Sequence, residues 1–370
     1  MRELRDRESP QGPVILSHGR PFRNFASNDY LGLSNHPYII EKTKEALDRY
    51  GYGAGASRLL SGGSALHREL ESRIASFKGT ESGLVFNSGY SANTGLIPAL
   101  AEEGCVVFSD EFNHASIVDG CRLCRAKVLV YRHRDVSHLE ELFKRNPAER
   151  RIIITDTVFS MDGDIAPMRE LYDLCRFYNS ELSSPDATIL YLDEAHGTGV
   201  IGSGKGTLAH FNMKQESWII QMGTFSKALG SVGAFVAGTE EIIQWAINNA
   251  RSFLYSTALP SCVIAASLAA LEIVESDSTL LRRLWTNREK AAAGIFACGY
   301  DIGKSETPII PVMTGTIENT MRLSKSLFEK GIYAPAIRPP TVKEPRLRII
   351  VTAAHTDEDI ERLIEALHKS

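Results

Sequence analysis

Between residues 80 and 240 the chain repeats one texture, a short continuous apolar run, then a turn, then apolar residues at helical spacing. The runs Leu84-Val85-Phe86, Cys105-Val106-Val107-Phe108, Lys127-Val128-Leu129-Val130-Tyr131, Ile152-Ile153-Ile154, Ile189-Leu190-Tyr191-Leu192, Trp218-Ile219-Ile220 and Gly233-Ala234-Phe235-Val236-Ala237 read as strands. Polar residues do not alternate along them, so both of their faces are expected to be covered. Strand and helix in succession predict an α/β fold with a mostly parallel sheet. Upstream, residues 1–20 read as a short polar arm, residues 21–33 as strand-like residues and a turn, and residues 37–50 and 67–77 as helices. After Pro260 a long helical segment is expected over residues 261–298, followed by weaker strand and helix alternation from Ile309 onward. These changes predict an N-terminal arm (1–35), a large domain (36–260), and a linking helix with a smaller C-terminal α/β domain (261–370). Residues 183–186 read as a surface loop, and no internal repeat or low-complexity stretch is present.

Composition narrows the class. The 370 residues are 43% hydrophobic and 23% charged, the balance of an ordinary globular protein. A formal net charge of −4 and the lack of a basic stripe argue against a nucleic-acid partner. Of six cysteines only Cys121 and Cys124 form a C-x-x-C, which lacks the second half of a zinc site. No metal site is expected, and the thiols are expected to be free, as in a reducing compartment. The first residues are charged throughout and no apolar run approaches a membrane span, so a cytoplasmic protein without a membrane partner is expected.

The candidate chemistry gathers at strand ends. Lys227 lies in Thr224-Phe225-Ser226-Lys227-Ala228-Leu229-Gly230, between two strand-like runs and without an acidic neighbour in sequence. A lysine so placed can lose hydration and become a nucleophile, although a solvated loop lysine has the same local look. Asp193 closes an apolar strand, where open α/β sheets put their ligand chemistry, and His196 follows three residues later. An amine for an imine, an acid for a pyridine nitrogen and a polar group for a ring oxygen are what pyridoxal phosphate requires. At Ser88-Gly89-Tyr90 a strand runs into a helix, whose first-turn amides would suit a phosphate dianion. His114, just past another strand end, reads equally as a ring-stacking imidazole or a structural histidine. Ser160 lies in a turn signal at a strand exit. The glycine-dense residues 51–63 suit close approach to a ligand or another subunit, or a surface loop. Asn28 and Tyr30 read locally as turn residues, and Arg338, stiffened by two prolines, as a carboxylate fork or a surface arginine.

Taken together, these motifs resemble the α-oxoamine synthases, pyridoxal-phosphate enzymes of the aspartate-aminotransferase fold (PLP-dependent transferase fold type I). The resemblance runs from about Asn28 onward and rests on Ser27-Asn28-Asp29-Tyr30-Leu31-Gly32-Leu33, Ser57-Arg58-Leu59-Leu60-Ser61-Gly62, Lys227-Ala228-Leu229-Gly230-Ser231-Val232-Gly233 and Arg338-Pro339-Pro340-Thr341-Val342. Those phrases favour the branch that joins L-alanine to a pimeloyl thioester, carried by coenzyme A or acyl-carrier protein. Relatives making 5-aminolevulinate, 2-amino-3-ketobutyrate or ketosphinganine share the cofactor motifs.

The resemblance implies that Lys227 binds the cofactor, Asp193 pairs with the pyridine nitrogen, and His196 and Ser160 lie near the ring hydroxyl. It implies that His114 stacks on the ring and serves catalysis with Lys227, Asp193 and His196. Ser88, Gly89, Tyr90 and Thr224 would hold the phosphate, joined by Thr257 across the interface of a homodimer. Asn28, Arg338 and Thr341 would meet the substrates. The chain departs from the family pattern at Gly53-Ala54-Gly55-Ala56-Ser57, at Phe225-Ser226, and between Val342 and Arg346, where only Lys343, Glu344 and Pro345 intervene. A catalytically silent partner subunit and a nicotinamide dehydrogenase are the competing readings. The first is opposed by the joint presence of Lys227, Asp193, His114 and His196, the second by the lack of a G-x-G-x-x-G between a first strand and its helix.

Overall fold

The computed structural model describes residues 4–181 and 187–368. The surface loop expected at residues 183–186 lies outside the described residues. Strands β1 (Val14–Ser17) and β2 (Arg20–Asn24) form an antiparallel hairpin at the N-terminal end. Seven strands follow: β3 (Ser82–Phe86), β4 (Cys105–Asp110), β5 (Lys127–Tyr131), β6 (Arg150–Asp156), β7 (Thr188–Asp193), β8 (Ile219–Thr224) and β9 (Ala234–Gly238). They build one sheet in the order β3-β9-β8-β7-β6-β4-β5, in which β9 alone runs antiparallel to its neighbours.

Pleating sends alternate residues of these apolar runs to opposite faces, and each face finds a cover. Ile152, Ile154, Ile189 and Tyr191 pack with Leu96 and Ile97 of the helix Gly89–Leu100 and with Ile243 of Glu240–Asn249. Ile153, Leu190 and Leu192 pack the other way, against Leu139 and Phe143 of Val136–Arg145 and Leu171 of Met168–Glu181. Burial on both sides explains why the strands carry no polar alternation.

The C-terminal part holds β10 (Ile309–Met313), β11 (Ile332–Tyr333), β12 (Ala336–Ile337) and β13 (Arg346–Ile350). An antiparallel sheet β10-β13-β12 carries its own core of Ile310, Val312, Leu347 and Ile349, with Leu327 and Leu363 from flanking helices. Two sequence expectations need correction here. Part of the polar arm is strand, because β2 pairs in parallel with β11 and so ties the N-terminal hairpin to the C-terminal part. The helical stretch over 261–298 is two helices, Ser261–Ser276 and Ser278–Ala297, divided at Asp277. Asp277 leaves helical geometry and its carboxylate caps the second helix by accepting from Thr279 N at 2.7 Å.

Candidate active site

Parallel strands deliver their last residues to one edge of the sheet. Asp110 ends β4, Asp156 ends β6, Asp193 ends β7 and Thr224 ends β8. The β6–β7 register sets Asp156 directly opposite Asp193, so two buried carboxylates stand side by side. Asp193 is held from both oxygens, with Asn93 Nδ2 at 2.9 Å from Oδ2 and the Ala195 amide at 2.9 Å from Oδ1. Burial and the neighbouring Asp193 charge push the Asp156 carboxyl well above the usual carboxylate range. Asp156 in turn accepts the His114 backbone N–H at 2.6 Å.

Lys227 stands on the tight loop between β8 and β9. Phe225, Ala228 and Leu229 bury themselves and pin that loop. Its backbone closes through Phe225 N to Gly233 O at 2.9 Å and Ser231 N to Phe225 O at 2.8 Å. Gly230 has φ 61°, and a Cβ there would lie 2.4 Å from Ser34 N, so only glycine lets the loop lie against the N-terminal segment. Desolvation lowers the Lys227 amine to about 8, against the pull of the Asp193 and Asp156 carboxylates. Half of such amines are neutral near that pH, which is what a nucleophilic lysine needs.

The two histidines differ. His114 caps the helix Ala115–Leu123, its Nδ1 accepting from Ser116 N at 3.2 Å, and its side chain stays open to solvent. Packing around the ring nonetheless lowers its pKa, with Asp193 opposing and Lys227 reinforcing the shift. His196 is buried and pushed well below its ordinary range by desolvation and by the Lys227 and Arg348 cations. Its Nδ1 lies 2.7 Å from the Tyr30 hydroxyl.

Ser88 caps the helix Gly89–Leu100 with its Oγ on Ser91 N at 3.0 Å. The N–H groups of Gly89 and Tyr90, in the first turn, have no partner within the helix. The Tyr90 hydroxyl is turned to Asp119, so its backbone is what it can offer an anion. Thr224 Oγ1 lies 2.7 Å from Ser226 Oγ and donates to Gly233 O at 2.8 Å. Thr257 is exposed and its carbonyl accepts from Asn87 Nδ2 at 2.9 Å, next to the Ser88 turn. An isolated bridge pairs Thr257 with Ser57 of the glycine-dense loop.

On the other side Arg348 gathers the N-terminal and C-terminal parts. Its Nη2 donates to Asn28 Oδ1 at 3.1 Å and its Nε to Ser160 O at 2.5 Å. Arg338 is half-buried on the turn after β12, where its carbonyl accepts from Thr341 N at 3.0 Å. Thr341 lines a cleft of about 480 Å³ together with Phe112, Ser160, Met161 and Lys343. Lys227, Asp193, His114, His196, Asn28 and Ser160 thus belong to one connected neighbourhood, with Ser88 and Thr224 at strand exits of the same sheet.

Sequence reasoning missed Asp156, Asn93 and Arg348, and it took Tyr30 for a turn residue. Arg348 had a signal, since β13 carries two arginines at buried positions of an otherwise apolar strand. Asp156 had one too, an acid closing an apolar run as Asp193 does. The donor set fits pyridoxal phosphate: a held carboxylate, a desolvated amine, imidazoles, and hydroxyls beside first-turn amides.

Comparison with known proteins agrees. The family model described as aminotransferase class I and II matches residues 20–367. A putative 8-amino-7-oxononanoate synthase of Thermodesulfovibrio yellowstonii is 52% identical over 367 residues, 99% of this chain and 92% of that protein. Among solved structures, a serine palmitoyltransferase variant from S. paucimobilis with a bound PLP–myriocin aldimine superposes with a TM-score of 0.93 at 29% identity, covering 99% of this chain and 92% of that one. An 8-amino-7-oxononanoate synthase from Francisella tularensis gives a TM-score of 0.81 at 28% identity, covering 94% of this chain and 97% of that one. The chain belongs to the class I and II aminotransferase family and, within it, to the α-oxoamine synthases, pyridoxal-phosphate enzymes of fold type I.

Proposed function

We propose that the protein condenses L-alanine with a pimeloyl thioester, with loss of carbon dioxide and of the thiol carrier, to give 8-amino-7-oxononanoate. The observation that carries this reading is the Lys227 amine, lowered to about 8 beside the Asp193 and Asp156 carboxylates at the carboxyl edge of the sheet. The 52% identity to a putative 8-amino-7-oxononanoate synthase supports the choice of substrates. Bound pyridoxal phosphate supplies a cationic ring that draws electrons from the amino acid's Cα. Asp193, held in place by Asn93 and the Ala195 amide, would pair with the pyridine nitrogen. Lys227 would hold the cofactor and would take the Cα proton on Nζ. His114, open to solvent, is assigned the proton donor at the decarboxylating end.

Ser88, Gly89, Tyr90 and Thr224 are assigned to the phosphate, His196 and Ser160 to the ring oxygen, and Asn28, Arg338 and Thr341 to the substrates. The working assembly is a homodimer in which Thr257 of the partner subunit completes the phosphate site. Coenzyme A or acyl-carrier protein delivers the acyl group. A second reading, a serine palmitoyltransferase type of activity, is favoured by the higher TM-score to that enzyme, 0.93 against 0.81. A matrix of amino acids against acyl thioesters, scored by thiol release and product mass, separates the two. Alanine with pimeloyl thioester is expected to lead it; leadership by serine with a long-chain thioester would replace this reading with the second.

A further inference from the structure

Tyr30 lies in a turn, yet its side chain is fully buried. Its hydroxyl lies 2.7 Å from His196 Nδ1. The hydroxyl's one proton has a single hydrogen-bond acceptor among the described residues, the His196 Nδ1 lone pair. Were Nδ1 to carry the proton instead, the oxygen would accept from it and the hydroxyl proton would be buried without a partner, the costlier arrangement.

We propose that Tyr30 is a positioning residue that fixes His196 as the Nε2–H tautomer by donating its hydroxyl proton to Nδ1. The inference rests on the functional reading above in one respect, that Nε2–H is then offered to the cofactor's ring oxygen. The ring thus presents one donor of fixed direction, and it cannot turn over without breaking the Tyr30 bond.

The test is long-range ¹H–¹⁵N correlation of the histidine side chains in the labelled full-length chain, before and after adding pyridoxal phosphate. The chain has ten histidines, and His196 is identified by the signals lost in His196→Gln. The expected pattern before cofactor is a pyrrole-type Nε2 with a pyridine-type Nδ1. In Tyr30→Phe, checked for a native circular dichroism spectrum, that single-tautomer pattern is lost and both nitrogens shift toward averaged positions. A pyrrole-type Nδ1 in the unaltered chain overturns the assignment, as does an unchanged His196 pattern in folded Tyr30→Phe. Should Tyr30→Phe not fold, the pattern of the unaltered chain decides by itself. Since the tautomer is read without cofactor, a failure to take up pyridoxal phosphate would strike the functional reading and leave this one standing.

Discussion

Two carboxylates one strand apart have been given different tasks by their surroundings. Asp193 is held on both oxygens by Asn93 and the Ala195 amide, whereas Asp156 is driven toward its neutral form by burial and by its neighbour's charge. In the proposed function Asp193 is the partner of the ring nitrogen. Asp193→Asn is therefore expected to retain pyridoxal phosphate, seen as visible absorbance, while turnover falls about a hundredfold to a thousandfold, the scale of a lost preorganised charge contact. Near-normal turnover would remove the electronic role. Lys227 and Asp193 stood out as candidates in the sequence because Asp193 closes an apolar run and Lys227 lies on a turn between two such runs without an acidic neighbour. The meetings of Asn93 with Asp193 and of Arg348 with Asn28 were not legible there, because the partners lie 100 and 320 positions apart and no local pattern encodes them.

At the level of elements, the strands were the most legible part, since continuous apolar runs have one economical fate in a two-faced sheet. The division at Asp277 was hidden because apolar spacing continues through it, and only the cap reveals two helices. Asp277→Ala is expected to destabilise the chain through loss of that cap, measurable as a lower midpoint in denaturant with an unchanged slope. A second joint links the ends of β4 and β5 to the turn that carries Ser160. His133 bridges Asp110 at 2.9 Å through Nδ1 and Asp164 at 2.9 Å through Nε2. Burial alone would depress this imidazole, but the two carboxylates outweigh it and lift it from 6.5 to about 9. A pKa raised on folding stabilises below the unfolded value and is lost as pH rises through the folded one. The melting temperature of His133→Gln is thus expected to fall well short of the parent's at pH 6, with the gap closing as pH passes about 9. A gap independent of pH would mean that His133 is not charged in the folded chain.

Across the whole molecule, the sheet collects chemistry at one edge, and the N-terminal hairpin joins the C-terminal strand β11 beside it. The α/β character and the edge position of the site followed from the alternation of runs and helices. The pairing of the two chain ends did not, because strands of two to five residues with mixed polarity carry little periodic signal. Among the described residues no helix is long and apolar enough to cross a membrane. The proposed function converges on Lys227, and one measurement addresses it directly. The full-length protein is incubated with pyridoxal phosphate, reduced with borohydride, digested, and mapped by mass, with Lys227→Ala treated alongside. A single phosphopyridoxyl group on Lys227, absent from the variant, is the predicted result. A stable adduct on another lysine, or its persistence in Lys227→Ala, would contradict it.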